Sequence, residues 1–242
     1  MRTKTAFSVL APLMALGLPL WFASPATADT IFTLNQNNLP AGTYTPGYIS
    51  VDVHLVDSNN ATVTFTSLIA GGNIFLMGGQ GVVGLNVNAT SWTLGTLTGS
   101  NSGSGFTAPA YSDGGAQNED GWGKFNQTID AFDGFTHSAN LVVVNLSTTS
   151  TWLTSGNVLT ANASGHFAAA HIFPTAAPAD AHGKSLTTGY ATDNGTSTGG
   201  CLNGATNPPL CTFSSAPEPS SMLIFGGGLL GLATVLRRRR GA

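Results

Sequence analysis

The chain has 242 residues, and its formal net charge of −3 hides an uneven distribution. Between residues 29 and 216 only Lys124 and Lys184 are basic, against ten acidic residues, a net of −8 for that stretch. Binding nucleic acid requires Lys and Arg to neutralise phosphates, so this balance excludes a nucleic-acid partner and favours cations instead. The same stretch is rich in Gly, Thr, Ser, Asn and Val and poor in helix formers. It is long enough for one domain that buries about 70% of its unfolded surface.

Residues 1–28 read as a secretory signal peptide. Arg2 and Lys4 charge its start, Ala6 to Phe22 is apolar, and Ala26-Thr27-Ala28 supplies the small residues before Asp29, so signal peptidase is expected to cut after Ala28. Strand signals follow. Ile49, Val51, Val53 and Leu55 alternate with Ser50, Asp52 and His54, and Ala61, Val63 and Phe65 alternate with Thr62, Thr64 and Thr66. Period-2 alternation on both sides of the turn-forming Asp57-Ser58-Asn59-Asn60 predicts a hairpin with one buried face. Further strands are expected at Ile74–Met77, Val82–Ala89, Phe125–Ile129, Leu141–Leu146 and Phe167–Phe173. Leu141-Val142-Val143-Val144 is apolar on both faces, as a central strand should be. Residues 99–121 read as the longest loop because of their Gly and Ser content. The fold class is all-β: a single, jelly-roll-like β-sandwich over residues 29–193, flanked by the signal peptide and a C-terminal transmembrane helix.

Beyond it, residues 194–216 form a Gly/Ser/Thr/Pro linker. It holds both cysteines, and in an exported chain the pair Cys201 and Cys211 is expected to close a local disulfide. Residues 217–242 then combine three parts: Pro217-Glu218-Pro219, an apolar run from Ser220 to Leu236, and Arg237-Arg238-Arg239-Arg240. The 17-residue run reaches roughly 25 Å as a helix, close to one hydrocarbon core, and four arginines hold its end in the cytoplasm. Taken together, these parts resemble the PEP-CTERM sorting signal of Gram-negative bacteria, the substrate signal of exosortase, a membrane cysteine protease and transpeptidase. The resemblance implies that Pro217, Glu218, Pro219 and Arg237 to Arg240 are recognised by another enzyme, with transient anchoring before the protein reaches the surface. Gly114 to Asn118, Gly121 to Asn126, Phe132 to Phe135 and Ala168 to Ile172 also resemble segments of other small PEP-CTERM proteins, which implies a shared β-rich ectodomain.

Chemistry-bearing motifs are sparse. Gly79-Gln80-Gly81-Val82-Val83-Gly84 is a literal G-x-G-x-x-G, but a dinucleotide site needs it to open a helix, and here a strand follows; a glycine-rich β-turn is the expectation. Asp113, Glu119, Asp120, Asp130 and Asp133 could offer hard oxygens to calcium, although their spacing is not that of an EF-hand, and the same residue types are common in turns. No other cofactor is expected. His54, His137, His166, His171 and His182 raise zinc, yet His166 and His171 are five apart and would point to opposite faces of a strand. Trp92, Trp122 and Trp152, with Tyr44, Tyr48, Tyr111 and Tyr190, would stack on sugars if exposed along one face, and otherwise serve as core. The reading is a non-enzymatic, structural or adhesive surface protein associated with exopolysaccharide or biofilm. Its alternative is an exported glycan hydrolase with spatially paired carboxylates, or a calcium-dependent carbohydrate-binding protein.

Overall fold

A computed structural model describes residues 28–40, 44–101, 106–131, 137–177 and 187–195, all within one compact unit spanning Thr27–Ala216. The expected signal peptide up to Thr27, the linker cysteines, and the tail with its membrane span lie outside the described residues. Among the described residues no helix is long and apolar enough to cross a membrane.

The fold is all-β, built from two open antiparallel sheets. The first contains β1 (Thr30–Leu34), β3 (Ile49–Asp57), β4 (Asn60–Ser67), β11 (Leu141–Thr148) and β8 (Trp92–Ser100), in that spatial order. In the second the order is β2 (Gln36–Asn37), β13 (Gly189–Thr192), β12 (Ala168–Ala176), β7 (Val83–Leu85), β10 (Gly123–Ala131) and β9 (Tyr111–Glu119). There β6 (Asn73–Met77) also pairs with β12 and with β5 (Ile69–Ala70). The β3–β4 hairpin forms as its alternation requires, with Val51 opposite Phe65 and Val53 opposite Val63. These side chains are fully buried, and they share one core with Val83, Leu85, Ile129, Ala170 and Ile172 of the second sheet. Burial of such apolar faces, at about 25 cal/mol per Å2, is what makes the two sheets hold together.

Two expectations change. Residues 99–121 are not one long loop: Gly99 and Ser100 end β8, and Tyr111–Glu119 is a nine-residue edge strand paired with β10. An edge strand needs only one apolar face and one bonded neighbour, so its Gly, Asn and Gln residues look like loop in sequence. The strand expected at Val82–Ala89 is shorter, Val83–Leu85, followed by a single bridge from Val87 to Leu159. In β11, Val142, Val144 and Leu146 are buried while the alternate positions are only partly so, although the strand lies between β4 and β8.

Candidate functional site

The two ends of β9 organise the polar chemistry. At its start, Tyr111 and Asp113 face Trp92, Leu94 and Leu97 of β8, with Gln127 of β10 beside them, around an open groove of about 590 Å3. A hydrogen-bond chain runs along its wall: the Trp92 indole N–H donates to Gln127 Oε1 at 3.0 Å, and Gln127 Nε2 donates to Asp113 Oδ1 at 2.7 Å. Asp113 also accepts from the Gly115 N–H at 2.8 Å. Across the junction between the sheets, the Tyr111 hydroxyl sits against Gly99, where a Cβ would collide with it. That hydroxyl is buried without a hydrogen-bond partner, and burial pushes its pKa up to about 12. The groove therefore combines aromatic rings, an amide held in one orientation and one carboxylate.

At the far end of β9 the chemistry is closed rather than open. Glu119 is 1% exposed, and neither carboxyl oxygen has a hydrogen-bond partner. Burial pushes its pKa up to about 8, the nearby Tyr190 hydroxyl pulls the other way, and the Asp130 charge adds to the rise. Above it lies the glycine turn expected from the G-x-G-x-x-G segment, with Gly79 and Gly81 at positive φ of 80° and 62°. A Cβ on Gly81 would stand 2.5 Å from Glu119 Oε1, and one on Gly79 would stand 2.9 Å from His171 Nδ1. Only glycine fits between this backbone and the side chains beneath it. The turn is fastened by the Gly81 N–H to Asp130 Oδ1 at 2.8 Å, by the Tyr190 hydroxyl to the Gln80 carbonyl at 3.2 Å, and by the Ala131 N–H to the Gly79 carbonyl at 3.1 Å. His171 and Tyr190, opposite each other on β12 and β13, stack with centroids 4.5 Å apart.

The other sequence candidates fall in several places. Asp113 and Glu119 are separated to opposite ends of one strand, Asp130 is committed to Gly81 and Gln117, and Asp120 is exposed; Asp133 lies outside the described residues. Among the described residues, no group of three or more His, Cys, Asp or Glu is placed to hold a metal ion. His54 Nδ1 meets Asp29 Oδ1 at 2.6 Å on the surface, and the carbonyl of Ala28 accepts from Ser155 Oγ at 2.6 Å, so both described residues of the expected cleavage site contact the first-sheet side of the fold. His166 is not on a strand; its ring stands edge-on to Trp122 at 5.3 Å, and its Nδ1 lies 3.0 Å from the Asp193 carbonyl. Trp152 and Tyr48 are core residues, while Trp92 and Trp122 are half-buried at different sites. Ala26, Cys201, Cys211, Pro217, Glu218, Pro219, Arg237, Arg238, Arg239, Arg240 and His182 lie outside the described residues. Gln127 was not a sequence candidate: nothing in an alternating strand distinguishes an amide turned into a cleft from one turned to solvent.

No curated protein and no solved structure matches the chain. Residues 215–240 match the family model described as the PEP-CTERM protein-sorting motif, and they cover the segment whose Pro-Glu-Pro, apolar and arginine parts suggested it. The chain therefore carries a PEP-CTERM sorting motif at its C-terminus, which marks it as an exported protein sorted by exosortase to the cell surface.

Proposed function

We propose that this protein is a non-enzymatic structural or adhesive module, a jelly-roll-like β-sandwich displayed at the cell surface, that engages exopolysaccharide through the groove between β8 and β9. The observation that carries this reading is the Trp92–Gln127–Asp113 chain. An indole beside an amide and a carboxylate of fixed orientation matches a sugar, which offers an apolar C–H face and a rim of hydroxyl donors and acceptors. Among the described residues no Lys or Arg lines the groove, so neutral or hydroxyl-rich glycans suit it better than acidic ones. Exosortase and signal peptidase are its processing enzymes, and the tail is a transient anchor.

Protein recovered from the cell surface is to be tested on a glycan array, with a parallel assay for released reducing ends. Retention of a polysaccharide class that falls at least tenfold in Trp92→Ala supports the reading. Equal retention by the variant removes the groove from it, and turnover without lasting binding replaces it with a hydrolase. Mass spectrometry of the same material is expected to find Asp29 at the N-terminus and Arg237 to Arg240 missing; an intact C-terminus would mean permanent anchoring.

A further inference from the structure

Exported proteins experience the pH of the surroundings, and one part of this fold is built around a group that responds to it. Glu119 makes no hydrogen bond within a sealed site, and its cover is a five-residue turn, Gly78 to Val82, rather than a strand. We infer that this turn is a proton-latched strap, closed over Glu119 while the carboxyl is uncharged and loosened when the carboxyl ionises.

The argument is geometric first. A Cβ on Gly81 would stand 2.5 Å from Glu119 Oε1, so the backbone lies too close over the carboxyl for a water shell to form around a carboxylate without moving the turn. Asp130 of β10 holds the Gly81 N–H from the other side, so ionised Glu119 would place a second negative charge on the same backbone segment. From β13, Tyr190 faces the carboxyl and ties Gln80; burial and the charges of Glu119, Asp120 and Asp130 raise its own pKa, so it stays a neutral donor. From β12, His171 packs beneath Gly79 and stacks on Tyr190. From β7, Gly84 contributes contact without charge. Among the described residues no Lys or Arg borders Glu119, and the Tyr190 hydroxyl offsets a carboxylate there by less than burial and the Asp130 charge oppose it. The raised pKa of Glu119, about 8, places the release at mildly alkaline pH.

The chain contains only two glutamates, Glu119 and Glu218, which makes a direct test practicable. The full chain in detergent micelles, labelled with 13C at the glutamate carboxyls and with 15N, is titrated from pH 5 to 10 by NMR. The expected result is one carboxyl titrating in the ordinary range and the other near 8, with the Gly81 and Ala131 amides moving through that second transition and the Thr64 amide on β4 unmoved by it. Glu119→Gln should abolish the transition at Gly81. Two ordinary carboxyl titrations overturn the latch, as does a high titration that leaves Gly81 still. Should Glu119→Gln fail to fold, the wild-type coupling between carboxyl and Gly81 decides the matter alone.

Discussion

Asp113 and Glu119 lie on the same edge strand, six positions apart, and meet opposite fates. Asp113 is exposed and accepts hydrogen bonds from a buried amide and a backbone N–H. Glu119 is sealed and accepts none. Both belong to β9, whose only strand partner among the described residues is β10, so the difference comes from what covers each end. At the Asp113 end the neighbour is β8 of the other sheet, which leaves an open groove. At the Glu119 end the neighbour is a backbone turn of glycines, which excludes water. An acid on an edge strand is thus a ligand-facing group or a buried proton site according to tertiary cover, not to its strand.

Removing the proton site should give the largest effect. A folded-state pKa raised above the unfolded one means that the folded chain holds the proton more tightly, so its stabilisation is complete below the ordinary glutamate value and is lost as pH rises through about 8. Wild-type stability is expected to fall by up to about 4 kcal/mol across that window, and Glu119→Gln to flatten the curve, as read by denaturant unfolding at a series of pH values. Next comes Gly81→Ala, which forces a methyl group onto the Glu119 carboxyl and a non-glycine residue into positive φ. It should cost about 2 to 4 kcal/mol, measured as a shift in denaturant midpoint. At the open end, Gln127→Ala leaves the Trp92 N–H and Asp113 each without their amide partner. A loss of about 1 to 2 kcal/mol is expected, with a change in Trp92 fluorescence. Asp113→Asn should cost under about 1 kcal/mol, since the group is exposed. A loss at Asp113 as large as that at Gly81 would erase the contrast between the two ends.

Legibility in the sequence followed the same division. The β3–β4 hairpin could be read because Val51, Val53, Val63 and Phe65 alternate with polar residues, and one buried face enforces that period. β9 could not, because Ser112-Asp113-Gly114-Gly115-Ala116-Gln117-Asn118 has the composition of a turn and becomes a strand only when β10 supplies its hydrogen bonds. Trp92 and Tyr111 were visible as aromatics that could contact sugar, but their meeting across two sheets, with Gln127 between Trp92 and Asp113, depends on contacts far apart in the chain. Gly79 and Gly81 were readable as a turn; the carboxyl lying beneath them was not.

Local chemistry alone was enough to spell out the address. Pro217 to Arg240 is a short linear signal read by another enzyme, and its meaning needs order and spacing but no folded partner. Alternation likewise sufficed to announce an all-β chain. Which acid is open and which is sealed was decided only in three dimensions, because desolvation depends on the sum of everything packed around a group, and no run of neighbouring residues encodes that sum.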